Sequence, residues 1–146
     1  LEHRDFLLLG QQVVRFEVLR DYERSLGPVS EHGVLLFGTP TRDAGARLCV
    51  QTTEGVSRDV HYLGEGEIVL GRDHGVLQFP DDPFLSGAHV KFTREADGAG
   101  YHVEDLGSSN GTLIRMRGLQ SLAPGQRFRV GRHLFRFEDG PGGGGV

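Results

Sequence analysis

Two short segments of the sequence carry side chains that could bind an oxyanion together. The first is Gly71-Arg72, which follows the apolar run 68–70. If that run is a buried strand, the Arg72 guanidinium lies at a strand end, where it can donate two parallel charge-assisted hydrogen bonds to an anion. The second is Ser86-Gly87-Ala88-His89, which lies in a predicted loop and offers the Ser86 hydroxyl to the same anion.

A third segment runs from Asp105 to Thr112 and is rich in short hydrogen-bonding side chains. Its Asn110-Gly111 pair is a strong turn signal, because both residues tolerate a positive φ angle. Such a loop can present backbone N–H groups, the Ser109 hydroxyl and the Asn110 carboxamide. We therefore predict a small polar cup, built from loops that a rigid scaffold holds in place.

The scaffold predicted between residues 45 and 138 is a series of short strands. Apolar and polar residues alternate at 46–50, 89–93, 101–104 and 134–137, and turns rich in glycine, proline and aspartate separate these stretches. We find no helical 3.6-residue periodicity in this part of the sequence. The pattern is typical of an all-β, antiparallel β-sandwich or barrel.

Composition supports the same fold class and excludes several functions. Glycine accounts for 23 of the 146 residues, about twice its usual share, and helix interiors tolerate glycine poorly. No apolar run approaches the ~20 residues of a membrane-spanning helix. The net charge of −4 argues against general nucleic-acid binding, which favours a basic domain. We expect neither a nucleic-acid nor a membrane partner.

Cys49 is the single cysteine of the sequence, which excludes an intrachain disulfide and a cysteine-based metal site. The seven histidines are scattered without metal-ligand spacing, so we predict no metal and no cofactor. A lone thiol fits a reducing compartment, and we expect the chain to be cytoplasmic.

The two ends of the sequence repeat each other at a constant offset of 121 residues. Residues 1–17 align without a gap with residues 122–138, with five identities and three similar apolar pairs. We therefore predict that residues 1–18 are the C-terminal hairpin of a preceding repeat in a tandem array. The remaining boundaries are a linker at 19–44, the domain itself at 45–139 and a disordered Gly-rich tail at 140–146.

A two-stranded hairpin alone is marginally stable in water. Residues 1–18 are therefore expected to pack on the domain of the same chain or to exchange with a second chain in a homodimer.

Taken together, the three segments resemble the forkhead-associated (FHA) domain family. The resemblance lies in Gly-Arg at 71–72, Ser-x-x-His at 86–89 and Asp-x-x-Ser-Ser-Asn-Gly-Thr at 105–112, in this order and at these spacings, and it covers residues 45–139. It implies, as a fold-level analogy, a β-sandwich of about eleven short strands. It also implies binding of phosphothreonine peptides through loops at one end, and no enzyme activity.

The family pattern, carried over position by position, implies a role for each residue of the motif. Arg72 and Ser86 would bind the phosphate, and Ser109 would add a further phosphate hydrogen bond. Asn110 would hold the peptide backbone, and His89 would bond across the loops and fix them. The other motif residues would support the site: Gly71, Asp105, Gly111 and Thr112.

The resemblance also places Gly87 among the phosphopeptide-binding positions, but this residue departs from the family pattern, in which an arginine normally follows the serine and commonly contacts the peptide. This departure leaves an alternative open, namely a degenerate FHA domain that acts as a phospho-independent protein-interaction or assembly module. The loop 79–85 leads into Ser86, and its two prolines should stiffen it. We expect Asp81 and Asp82 of this loop to repel acidic peptides.

Two other function classes fit the sequence poorly. Ser86, His89 and Asp105 are the residue types of a hydrolytic triad, but a serine and a histidine three positions apart near a strand end do not aim at each other. A carbohydrate-binding sandwich would expose aromatic side chains, and the sequence has no tryptophan. We therefore predict a signalling module rather than an enzyme. Its expected partners are phosphothreonine-containing proteins of a Ser/Thr kinase pathway.

Overall fold

A computed structural model describes residues 1–20, 30–31, 34–35, 44–52 and 54–140 of the chain. Most of the predicted linker 19–44, and all of the predicted tail 140–146 except residue 140, fall outside these residues. The chain divides into two units, Leu1–Ile114 and Arg115–Val146, and each is described by itself.

The described residues form thirteen β-strands and no helix, which confirms the predicted all-β class. The two short strands within residues 30–35 pair with each other. The strands are β1 (Phe6–Leu9), β2 (Gln12–Val18), β3 (Ser30–Glu31), β4 (Val34–Leu35), β5 (Ala46–Gln51), β6 (Ser57–Leu63), β7 (Glu67–Gly71), β8 (Leu77–Gln78), β9 (Val90–Arg94), β10 (Tyr101–Asp105), β11 (Thr112–Ile114), β12 (Arg127–Val130) and β13 (His133–Arg136).

Two sheets build the first unit as a β-sandwich. One has five antiparallel strands in the order β11-β1-β2-β5-β6, and the other has four in the order β10-β9-β7-β8. In the second sheet only the short β7–β8 pair is parallel. Alternate side chains of both sheets point into a shared core, as the two-residue period of a strand requires. Its buried members are Leu7, Leu9, Val14, Phe16, Ala46, Leu48, Leu63, Leu70, Leu77, Leu85, Val90, Phe92 and Tyr101.

An aromatic pair joins the two sheets across the core. The rings of Phe16 on β2 and Tyr101 on β10 are tilted, with centroids 5.5 Å apart. The Tyr101 hydroxyl donates a hydrogen bond to the Leu63 carbonyl at 3.0 Å, so the one polar atom of this ring is satisfied inside the core. Full burial of a side chain of this size contributes about 1.5–3 kcal/mol.

The N-terminal hairpin β1–β2 supplies two central strands of the five-stranded sheet. Strand β1 pairs with β11, and β2 pairs with β5 over residues 13–18. The structure divides the chain after Ile114, and the boundaries expected from the sequence, 1–18, 19–44, 45–139 and 140–146, stay a prediction. Its hairpin packs within the same chain, which is one of the two arrangements expected for it. That residues 1–18 descend from a preceding repeat stays a prediction.

A buried ion-pair group lies where β2 meets β5. The Glu17 carboxylate lies 2.8 Å from Arg15 Nε and 2.7 Å from Arg47 Nε. Burial alone would raise the pKa of Glu17, but the two arginines outweigh it and lower this pKa below its usual value. The Cys49 thiol lies beside the same carboxylate, and burial raises its pKa to about 11.

Asp82 holds the turn of the N-terminal hairpin. Asp82 is buried, with only 2% of the residue exposed to solvent. Its carboxylate accepts hydrogen bonds from Gln11 N at 2.8 Å, from Gln12 Nε2 at 2.9 Å and from Phe84 N at 3.0 Å. The expectation that Asp82 repels peptides was therefore wrong, because this side chain faces the hairpin rather than solvent. Asp81 is exposed.

The second unit contains the hairpin β12–β13. The rings of Phe128 and Phe135 stack within it, with centroids 5.3 Å apart. Its apolar side chains are nevertheless largely exposed, with 62% of Val130, 57% of Leu134 and 47% of Phe135 accessible to solvent. No helix in the described part of the chain is long and apolar enough to cross a membrane.

Candidate functional site

The first predicted segment ends strand β7 and touches the Ser86 loop through its backbone. Arg72 N donates a hydrogen bond to the Ser86 carbonyl at 2.9 Å. A Cβ atom placed on Gly71 would lie 1.9 Å from the Gly87 carbonyl oxygen. Only glycine allows the two loops to approach this closely, which explains the residue type at position 71.

The second and third segments meet at the Ser86 hydroxyl, which accepts a hydrogen bond from Ser109 N at 3.0 Å. A second bond joins the same loops, because Asn110 Nδ2 donates to the Phe84 carbonyl at 3.0 Å. The structure thus brings Ser86, Ser109 and Asn110 together, and the latter two are exposed at the loop surface.

His89 lies beneath these loops and is fully buried. Its Nδ1 accepts a hydrogen bond from Ser86 N at 3.1 Å, and its Nε2 donates to the Gly111 carbonyl at 3.1 Å. These bonds assign the ring proton to Nε2. One imidazole therefore fixes the backbone of both loops, as the role predicted for His89 requires.

Asp105 organises the loop that follows β10. Its carboxylate accepts hydrogen bonds from Ser108 N at 2.8 Å, from Ser108 Oγ at 2.6 Å and from Thr112 Oγ1 at 2.6 Å. Partial burial would raise the pKa of Asp105, but these donors outweigh it and hold the pKa below its usual value. Gly107 and Gly111 make the turns at positive φ, +76° and +78°. Of the predicted Asn110-Gly111 pair, only Gly111 adopts a positive φ.

The Arg72 side chain is 42% exposed, and its guanidinium has an acidic neighbour. Its Nη2 lies 3.5 Å from Asp73 Oδ2. Asp73 also bonds to His74 Nδ1, and this hydrogen bond is the largest influence lowering the pKa of Asp73, with a smaller contribution from Arg72. Sequence reasoning missed Asp73 and His74, although they follow Arg72 directly.

The space beside Gly87 is filled by these same two residues. A Cβ atom on Gly87 would lie 2.9 Å from Asp73 Oδ1 and 3.1 Å from His74 Nδ1. The Gly87 carbonyl also accepts a hydrogen bond from His74 N at 3.0 Å. An arginine at position 87, as in the family pattern, would therefore require Asp73 and His74 to move.

The geometry does not form a hydrolytic triad. Both ring nitrogens of His89 are engaged with backbone groups, and neither bonds to the Ser86 hydroxyl. Asp105 Oδ2 lies 3.9 Å from His89 Nε2, beyond hydrogen-bonding distance. Among the described residues, no group of three or more histidine, cysteine, aspartate or glutamate side chains could hold a metal ion.

Comparison with known proteins supports the resemblance found in the sequence. The model of the FHA domain family matches residues 68–131, a range that contains all ten predicted site and support residues. No curated protein and no solved structure matches the chain.

Proposed function

We propose that the chain binds phosphothreonine peptides, because residues 68–131 match the model of the FHA domain family. Members of this family are in general phosphopeptide-binding interaction modules and not enzymes. The observation that carries the proposal is the bond between Ser109 N and the Ser86 hydroxyl. It holds the two exposed loops together beside Arg72, whose backbone is bonded to Ser86.

The donors at these loops fit a phosphate group. A phosphothreonine carries between one and two negative charges at neutral pH and three strong acceptor oxygens. Arg72 offers an exposed guanidinium, which matches phosphate geometry better than an ammonium does. The Ser86 oxygen accepts its bond from Ser109 N, so its own O–H can be donated to a phosphate oxygen.

Asn110 supports recognition of the peptide backbone. Its amide nitrogen is engaged with the Phe84 carbonyl, which fixes the orientation of the side chain at an exposed position. Its Oδ1 can then accept a hydrogen bond from a backbone N–H of the peptide. The partner would be a protein phosphorylated on threonine by a Ser/Thr kinase.

Titration of a phosphothreonine peptide library and its unphosphorylated twin, followed by fluorescence polarisation, tests the proposal. We expect only the phosphorylated peptides to bind, and we expect Arg72→Ala to weaken binding by about 10- to 150-fold, the worth of hydrogen bonds to a charged group. The matched control is Arg58→Ala, since Arg58 is also exposed and lies 3.2 Å from the neighbouring Asp59. Equal binding of both peptide forms, or equal loss in both variants, would contradict the proposal.

The phospho-independent assembly module remains a second candidate because of Asp73. Its carboxylate lies beside the Arg72 guanidinium, where it competes with a phosphate for the same donors. In that case the two peptide forms would bind alike, and Arg72→Ala would have no effect.

A further inference from the structure

The two hairpins of this chain have the same apolar pattern but different surroundings. Leu9 and Val14 of β1–β2 are fully buried. Their counterparts at the 121-residue offset, Val130 and Phe135, are 62% and 47% exposed. Exposed apolar patches of this kind usually mark an interaction surface.

The hairpins also have the same register and the same backbone bonds. Phe6 pairs with Arg15, and Arg127 with Arg136, 121 positions later. The bond from Arg4 N to the Phe16 carbonyl recurs from Gly125 N to the Phe137 carbonyl. Their turn glycines have φ angles of +56° and +59°. The second hairpin is therefore a structural copy of the first.

The four positions of β1–β2 that belong to the buried core cluster are all apolar in the copy. We call the place between β11 and β5, which β1–β2 fills, the hairpin slot. The side chains that fill its core face are Leu7, Leu9, Val14 and Phe16. Their counterparts in the second unit are Phe128, Val130, Phe135 and Phe137.

The polar partners of the hairpin slot are matched as well. In the first hairpin, Glu17 is paired with Arg15 and also bonds to Arg47 on β5. In the copy, the counterpart of Glu17 is Glu138, which is paired with Arg136, the counterpart of Arg15. Buried Asp82 accepts from Gln11 N and from the Gln12 side chain. The counterparts of these glutamines are Arg132 and His133, which offer the same backbone donor and a side-chain donor to this carboxylate.

The chain connection suits this replacement. Leu7 lies opposite Ile114, the last residue of β11. Its counterpart Phe128 would therefore lie opposite the end of β11, which is the strand that precedes β12 in the chain. Residues 115–127 would close the loop between two neighbouring antiparallel strands, the commonest kind of connection. The FHA family match also continues past Ile114 to residue 131.

We propose that the hairpin β12–β13 fits the hairpin slot of its own chain and exchanges there with β1–β2. The slot is thus an interaction surface with two competing ligands, both supplied by the same polypeptide. This proposal concerns the sheet and does not depend on peptide binding.

The lone cysteine provides a direct test in the full-length chain. Arg15 lies opposite Cys49 in the β2–β5 register, and Arg136 is the counterpart of Arg15. After refolding in a glutathione redox buffer, we expect Arg136→Cys to form an intramolecular disulfide with Cys49, as the positive control Arg15→Cys should. The matched negative control is Arg129→Cys, because the counterpart of Arg129, Leu8 on β1, pairs with β11 and β2 and not with β5.

Peptide mapping under non-reducing conditions distinguishes the outcomes. A cross-link in the Arg15→Cys variant with none in the Arg136→Cys variant would overturn the proposal. So would a disulfide-linked dimer of the Arg136→Cys variant, because the hairpin would then occupy the slot of a second copy.

A second measurement uses one substitution at equivalent positions. Aspartate at position 14 or 135 places a charge on the core-facing side of one hairpin. We expect Val14→Asp and Phe135→Asp each to leave a cooperative unfolding transition, and only the double variant to lose it. In Val14→Asp, hydrogen exchange of the amides in 127–136 should slow by at least tenfold. Loss of folding in Val14→Asp alone would overturn the proposal.

Discussion

At the residue scale, the candidate site depends on hydrogen bonds made from below its surface. His89 has no exposed surface, yet it bonds to the backbone of both loops that carry the predicted phosphate ligands. Buried donors and acceptors are costly when they lose their partners. The ring therefore contributes to the site through position rather than through contact with a ligand.

We expect His89→Ala to lower the free energy of unfolding by about 2–4 kcal/mol, because it leaves Ser86 N–H and the Gly111 carbonyl unpaired and opens a cavity. Because the sequence has no tryptophan, urea denaturation followed by circular dichroism measures the free energy of unfolding. The control is His102→Ala, since His102 is mostly exposed and bonds to Glu95 at the surface, and an effect below about 0.5 kcal/mol is expected there. Similar losses in both variants would contradict the assigned role of His89.

Asp73 should act against phosphate binding through its charge. We expect Asp73→Asn to tighten phosphopeptide binding by a factor of about 2–5, the size of an exposed ion pair, because it frees the Arg72 guanidinium. Polarisation titration at two salt concentrations measures this effect, which should shrink as salt screens the charges. Unchanged or weaker binding would show that Asp73 does not compete with the phosphate. The control is Asp59→Asn, beside Arg58.

At the element scale, the loop between β10 and β11 depends on one carboxylate. The lowered pKa of Asp105 means that its ionised form is favoured in the folded state. Its contribution to stability is therefore present above the usual aspartate pKa and is lost as the pH falls through the folded value. We expect Asp105→Asn to destabilise the protein by about 1 kcal/mol at neutral pH.

Urea denaturation of wild type and Asp105→Asn between pH 2.5 and 7 checks the sign, roughly spanning the titration of aspartate. The two stability curves should converge at the acidic end, where Asp105 is protonated. Curves that stay parallel across the whole range would contradict the role of the charge.

The strands and the motif loops could be predicted from the sequence because their signals are local. Alternation located β5, β9 and β10, and the spacing of Arg72, Ser86 and the Asp105 segment predicted loops that the structure brings together. Contacts that depend on distant partners had no such signal. The burial of Asp82 follows from the hairpin turn that it bonds, and the space beside Gly87 is filled by side chains of a different loop.

At the scale of the whole molecule, all predicted binding residues belong to the first unit, Leu1–Ile114. That unit has its own two-sheet core. We therefore expect a chain ending at Ile114 to bind phosphothreonine peptides with the affinity of the full chain, within about twofold, because the truncation removes none of the predicted peptide-binding residues. Polarisation titration of both chains measures this, with circular dichroism as the check on folding. A folded but non-binding short chain would show that residues 115–146 contribute to the site.

The place of the N-terminal hairpin is the part of the architecture that the sequence could not decide. Residues 1–17 and 122–138 have equivalent apolar patterns, so either could complete the sheet on hydrophobic grounds. Alternation predicts that a strand has a buried face, but it does not say which neighbour covers that face.

Asp82 has a consequence that links the turn of the N-terminal hairpin to the loops that carry the predicted peptide-binding residues. One carboxylate binds the hairpin turn and Phe84 N, while the Phe84 carbonyl holds Asn110. Any change in how the β1–β2 turn engages Asp82 is then an allosteric coupling between the sheet and the peptide loops. Such coupling is reciprocal: a hairpin arrangement that raises peptide affinity by a given factor is itself favoured by that factor when the peptide binds.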